Sequence, residues 1–292
     1  MNNCQLKPER RPMPPAHCVD RCARVPSIGA TCITRLCAAV LMACLVPNLS
    51  AAAEALKPLS SPDQPVNSLH PEAALTLAGP STAAVPGPKR AHFDSEKASP
   101  EVRSMADWIV DSGDNLNLPF VVVDKVNAKV FVFKPDGRLS GATPALLGLA
   151  RGDDSSPGIG DRPLASIRPE ERTTPAGRFV AALGRNFSGK DILWVDYPSA
   201  ISMHRVLTTN AKEHRAQRLD SPTALDNRIS YGCINVPVRF YEKVVSPAFT
   251  GTDGIVYVLP EVRSQREVFS SYYDVKETAR LQPASRPLSV TR

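Results

Sequence analysis

A mostly-β, sandwich-like domain with one or two short helices is the fold class predicted for residues 118–261. Three observations predict it. Short runs of β-branched and aromatic residues recur from Phe120 onward. Turn residues such as Pro135-Asp136-Gly137 separate them. Apolar residues make up 42% of a 292-residue chain, enough for one well-filled core.

Residues 1–53 precede that domain and read as a signal peptide. A basic stretch leads to the apolar run 36–46, which is followed by Asn48-Leu49-Ser50-Ala51-Ala52-Ala53. These are the charged, apolar and small-residue parts of an export signal, with cleavage expected after Ala51 to Ala53. Translation starting at Met13 would shorten the unusually long basic part, and Leu41-Met42-Ala43-Cys44 resembles a lipoprotein processing site. The apolar run is too short to remain as a membrane span. The expected location is therefore the periplasm or cell envelope, with no stable membrane span.

Residues 54–95 are rich in Pro, Ala and Ser, and Phe93 is the only aromatic residue between Glu54 and Pro100. Such a composition cannot bury enough surface to fold by itself, so the segment reads as a flexible linker. An N-terminal helix is expected within residues 96–117. Ser99 caps it, Pro100 sits in its first turn, and Val102, Met105, Ile109 and Val110 form its apolar stripe.

Within residues 118–261, strands are expected at 120–123, 129–134, 146–149, 177–182, 192–195 and 254–259. A helix is expected over 237–245, with Val238, Tyr241, Val244 and Val245 facing inward. The charged stretch 208–227, with a helix across 212–219, reads as a lid or cleft wall. Residues 262–292 are expected to hold a C-terminal helix and a disordered tail, the disorder setting in near Asp274.

The formal charge of +6 does not point to a polyanion. Residues 1–53 hold six basic and two acidic residues, leaving 29 against 27 for the rest. That balance excludes an electrostatic case for nucleic acid. No His or Cys pair has metal-ligand spacing and no Gly-rich loop follows a strand, so neither metal, nucleotide nor other cofactor is expected.

Six of the seven cysteines lie upstream of the expected cleavage, at 4, 18, 22, 32, 37 and 44. Cys233 alone follows it. In an exported chain a single cysteine is either a small buried hydrophobe or a working thiol. Its surroundings are Ser202-Met203-His204-Arg205, a long loop, then Arg228-Ile229-Ser230-Tyr231-Gly232-Cys233-Ile234-Asn235-Val236-Pro237. A helix starting about three residues after Cys233 would favour thiolate. Gly232 permits a backbone that aims N–H groups at an oxyanion. His204, at the end of a strand, could serve as base. These are the parts of a Cys–His acyl-transfer site.

This pattern resembles the L,D-transpeptidase (YkuD-type) family. That family carries a His, a spacer, then Ser/Thr-His-Gly-Cys-X-Asn/Arg; here His204, Ser230, Gly232, Cys233 and Asn235 stand in matching order. Val122-Val123-Asp124-Lys125 with Lys129-Val130-Phe131-Val132-Phe133 resembles the family's opening hairpin. Thr174-Pro175-Ala176-Gly177-Arg178-Phe179 resembles its Thr-Pro-x-Gly-x-Phe segment. Two departures stand out: Tyr231 replaces the motif histidine, in a subgroup with SYGC for SHGC, and the gap from His204 to Cys233 is longer by roughly ten residues.

The resemblance implies an L,D-transpeptidase-like β-sandwich acting on peptidoglycan stem peptides in wall biogenesis and cell shape. Cys233 would be the nucleophile and His204 the base, with a thioester intermediate. Tyr231 would line the cleft, and backbone N–H groups near Gly232 and Cys233 would hold the oxyanion. Ser230 either orients His204 or is a turn hydroxyl. Asn235 is either a structural hydrogen bonder or a substrate ligand. Arg228 either meets a substrate carboxylate or is a solvated loop residue. His214 reads as a solvated face, and His70 and His92 as linker residues. With water as acceptor the same site would make an L,D-carboxypeptidase or hydrolase. A wall-binding module that has lost catalysis is the alternative outside enzymes.

Overall fold

A computed structural model of the chain describes residues 87–281. Residues 1–86, on which the expected signal peptide with its six cysteines, most of the expected linker and His70 fall, and residues 282–292 lie outside the described residues.

The mostly-β expectation holds. Ten strands form an eight-stranded mixed sheet and a two-stranded one. In chain order they are β1 (Phe120–Asp124), β2 (Lys129–Phe133), β3 (Leu139–Pro144), β4 (Leu147–Gly148), β5 (Gly177–Arg185), β6 (Asp191–Asp196), β7 (Ile201–Arg205), β8 (Arg228–Ser230), β9 (Ile234–Val236) and β10 (Gly254–Val258). The large sheet runs β3-β2-β1-β10-β5-β6-β7-β9, and β4 pairs in parallel with β8. An antiparallel bridge between Leu146 and Asn235 ties the small sheet to the edge strand β9, so that edge is not left open.

Alternation along the strands separates two cores. Val121, Val123, Val130 and Val132 point to one side, where they meet Leu193, Met203, Ile234, Val236 and Tyr241. Phe120, Val122, Phe131 and Phe133 point to the other, under α1 (Pro100–Ser112). Ser99 caps α1 by accepting from the Val102 amide, and Gly113 ends it in the left-handed conformation. Val102, Met105 and Ile109 are buried as the apolar stripe predicts, together with Trp108.

Several boundaries differ from the sequence reading. Strand β3 follows the Pro-Asp-Gly turn but is interrupted by Gly141 and ends on Pro144, which hides its pattern. Residues 90–93, assigned to the linker by composition, pack on the domain. Arg90 pairs with Asp107, His92 bridges to Arg138, and the Phe93 ring sits edge-on to Phe131 and Phe133. The helical run after Pro237 is longer than expected and irregular. It comprises α3 (Val238–Phe240), a π-helical turn Tyr241–Val245 and α4 (Ser246–Phe249), with α2 (Arg215–Leu219) preceding it in the chain. Tyr241 and Val245 are buried as expected, whereas Val238 is exposed. After α5 (Gln265–Val268), residues expected to be disordered from Asp274 instead form α6 (Val275–Leu281), with Val275 buried in the core beneath α1. Among the described residues no helix is long and apolar enough to cross a membrane.

Candidate active site

Strands β7 and β9 pair in parallel, with Met203 opposite Ile234, His204 opposite Asn235 and Arg205 opposite Val236. Paired residues of neighbouring strands share a face, and so do residues two apart on one strand. Ser202 Oγ lies 3.7 Å from Cys233 Sγ, so His204 stands one side-chain repeat along the same face. The 29-residue gap between His204 and Cys233 closes into adjacent strands, as a surface excursion can at little entropic cost.

His204 is fixed from behind. Its Nδ1 lies 2.7 Å from the carbonyl oxygen of Arg205. A carbonyl only accepts, so Nδ1 carries the proton and Nε2 is left as an acceptor. Burial lowers the pKa of His204 to about 4; the Arg205 carbonyl works against that shift and the charge of Arg215 adds to it. The imidazole is thus neutral over the whole physiological range.

Cys233 is also buried, with Sγ 3.6 Å from the Ala200 carbonyl oxygen. The expected helix dipole is not behind it: β9 follows Cys233, and the helical run begins only at Val238. A thiolate here has to draw on His204 rather than on a helix terminus.

The turn before Cys233 is held by its own polar groups. Ser230 Oγ donates to the Cys233 carbonyl at 2.7 Å and accepts from the Gly232 amide at 3.1 Å. Ser230 is therefore the turn hydroxyl of the two readings, and the Gly232 N–H is engaged rather than open to an oxyanion. Thr174 Oγ1 donates to the Gly232 carbonyl at 2.8 Å. Gly232 has φ 123°, and a Cβ there would lie 2.6 Å from both Ile201 Cδ1 and the Thr173 carbonyl oxygen. Only glycine satisfies both constraints.

Asn235 and Arg228 turn inward. Asn235 Oδ1 accepts from Arg215 at 2.7 Å, and its Nδ2 donates to the Cys233 carbonyl at 3.1 Å. Of its two readings, the structural hydrogen bonder describes it. Arg228 is not a solvated loop residue. It is buried, with Nη2 2.5 Å from Glu261 and 2.8 Å from the Lys125 carbonyl oxygen. Lys125 in turn pairs with Asp153 at 2.8 Å and with Glu261 at 3.6 Å. Burial would raise the carboxyl of Asp153, but the Lys125 ammonium and the amides of Arg263 and Glu261 outweigh it and hold the pKa at about 2. This buried four-charge cluster anchors residues 152–153 to the chain after β10. Lys134, His214 and the other members of the charged surface play no part in it.

The wall of the cleft is not where the sequence suggested. Cys233 and Tyr231 border a narrow cavity whose other side is Ile159, Gly160, Arg162, Leu164 and Ile167, with Ser199 and Ala200 at its base. That wall is built on 3-10 turns at Ile159–Asp161 and Leu164–Ser166, with a third at Pro169–Glu171 following them in the chain. The stretch 208–227, expected to be the lid, instead sends α2 inward: Arg215 and Leu219 are buried, and Arg215 supports Asn235 from behind. Its helix is shorter than the expected 212–219. His204 borders a separate cavity with Lys190, Asp191 and Val238. Tyr231 meets one unforeseen partner, Arg172, whose guanidinium carbon lies 3.9 Å from its ring centroid. Ser202 and Thr174 sit in stretches that the motif residues mark; nothing local marks Arg172 or the 3-10 wall.

No group of three or more His, Cys, Asp or Glu residues that could hold a metal occurs among the described residues. What remains is a buried, neutral imidazole on the strand beside a buried cysteine, each bordering its own cavity. Such a pair can carry acyl transfer through a thioester.

No family model matches the chain, and no curated protein matches it significantly. Among solved structures it is similar to the helical cell shape determining protein Pgp2 from Campylobacter jejuni. The identity is 15% and the TM-score 0.37, over 56% of this chain and 52% of that one. It is also similar to the LD transpeptidase LdtMt1 in complex with imipenem (16%, TM-score 0.29, 48% of this chain and 58% of that chain). The third is the catalytic domain of the Enterococcus faecium L,D-transpeptidase (19%, TM-score 0.25, 48% and 96%). The chain spans about half the length of the first of these structures.

Proposed function

We propose that the protein is an exported L,D-transpeptidase that joins peptidoglycan stem peptides by cysteine acyl transfer. One observation carries the reading: His204, with Nδ1 committed to the Arg205 carbonyl and Nε2 left as acceptor, sits on the strand beside Cys233. The order of motif residues in the sequence supports it, and so does the apolar, signal-like run at 36–46.

In this mechanism reduced Cys233 gives its proton to His204 Nε2 as Sγ attacks the carbonyl of the third stem residue, a diaminoacid. The neutral state of His204 means that resting thiol and imidazole are both uncharged, and the proton moves with the attack rather than before it. The C–N bond to the terminal D-alanine breaks and the leaving amine takes the proton back from His204. The thioester then passes to the side-chain amine of a second stem, which forms the new amide and returns Cys233 Sγ. Of the two backbone donors expected for the oxyanion, the Gly232 N–H is held by Ser230 Oγ.

The test uses reduced full-chain protein and a tetrapeptide stem. Wild type is expected to yield a mass increase on Cys233 and crosslinked dimers, and Cys233→Ala neither. Shortened monomers without dimers would make water the acceptor and the protein a carboxypeptidase. An unmodified Cys233 with unchanged peptide would leave a wall-binding module without catalysis.

A further inference from the structure

Arg172 stands behind the wall of the Cys233 cleft, in contact with two of its lining residues, Tyr231 and Ile167. Its guanidinium carbon lies over the Tyr231 ring, 3.9 Å from the centroid. Its Nε and Nη2 both donate to the Ile167 carbonyl, at 3.3 and 3.1 Å. Tyr231 and Ile167 are both walls of the cavity that holds Cys233. Ring and carbonyl together fix the plane of the fork, and two of its five N–H groups are used on one oxygen.

Charge separates Arg172 from its neighbours. Arg162 is closed off by both carboxylate oxygens of Glu171, at 2.8 and 3.1 Å. Arg168 leans on Glu170 and Glu171. No carboxylate of the described residues forms an ion pair with Arg172, although it is only half-exposed. A planar guanidinium, oriented beforehand and not neutralised, is suited to a planar anion. Stacking on an aromatic face leaves the edge of the fork, rather than its face, for that anion.

We propose that Arg172, braced by Tyr231, is a specificity-determining residue that binds the free α-carboxylate of the residue leaving the donor peptide. The inference rests on the reading of Cys233 as acyl acceptor and deepens it. The bond that breaks is then the last amide of the donor: Cys233 Sγ bonds to its carbonyl carbon and the terminal amino acid departs with its carboxylate still on Arg172. Substrates are peptides with one residue beyond the scissile amide, ending in a free acid. Tyr231, in place of a histidine, gives the guanidinium a neutral aromatic face where an imidazolium would repel it.

The experiment compares two donors with reduced full-chain protein: the tetrapeptide stem with a free C-terminal carboxylate, and the same peptide as its C-terminal amide. Wild type is expected to prefer the acid by about tenfold to a hundredfold in kcat/KM, mostly through KM. Arg172→Gln should collapse that ratio towards one, and Arg172→Lys should keep part of it, because charge remains while the fork is lost. Thermal midpoints of both variants separate this loss from unfolding. A wild type that turns over both donors equally, or an Arg172→Gln that keeps the wild-type ratio, overturns the proposal while leaving the cysteine mechanism standing. A wild type that acylates with neither donor overturns both.

Discussion

The proton on His204 Nδ1 is pinned to the carbonyl oxygen of Arg205, the next residue of the same strand, at 2.7 Å. The backbone thereby sets the tautomer of the imidazole before any substrate arrives. Burial then keeps the ring neutral, with a pKa of about 4 against an ordinary value of 6.5.

That lowered value predicts the pH dependence of stability. The unfolded chain binds a proton on His204 below about pH 6.5 and the folded chain only below about 4, so stability falls as pH drops through this window. The loss attributable to His204 is about 3 kcal/mol once pH is below both values. His204→Gln should flatten the denaturant midpoint between pH 6.5 and 4 relative to wild type. An unchanged slope would place the titration elsewhere. For activity, the acid limb of kcat/KM is expected nearer pH 4 than 6.5.

Gly232 is the position where a single methyl should do most harm. The backbone lies at φ 123° and a Cβ would press on Ile201 and on the Thr173 carbonyl. Gly232→Ala should cost about 2–4 kcal/mol, combining strain with overpacking, and should lower the acylation rate of Cys233 more than it lowers the melting midpoint would suggest. Wild-type acylation by Gly232→Ala would show that the turn has room to relax.

The buried charges Lys125, Asp153, Glu261 and Arg228 act as a unit. Removing one leaves another uncompensated in the interior, so Lys125→Met should destabilise the domain by about 3–5 kcal/mol. A double variant, Lys125→Met with Asp153→Leu, should recover part of that loss. Additive losses, measured by chemical denaturation, would mean that the pair is not coupled.

Truncation tests where the folded unit begins. A chain starting at Ser95 lacks Phe93, which is 5% exposed against Phe131 and Phe133. It is expected to lose about 3–5 kcal/mol, as large-to-small changes in a core do. A chain starting at Gly87 should melt like the full-length protein. Equal midpoints for the two would show that residues 87–94 add nothing to the fold.

The sequence by itself determined the mostly-β class and the first helix with its Ser99 cap. Those are local properties: side-chain alternation, capping and turn residues act within a few positions of one another. The strand order and register were decided by the tertiary structure, and with them the fate of the polar residues around the motif. Arg228 is 33 residues from Glu261 and 103 from Lys125, yet meets both in the interior. Arg215 left the presumed lid to support Asn235, and the 3-10 turns of residues 159–166 took the lid's place beside Cys233. Whether a charged side chain is solvated or buried depends on which distant carboxylate or carbonyl the topology brings to it. No pattern along the chain carries that information, because desolvation and ion pairing are settled only when the strands have closed.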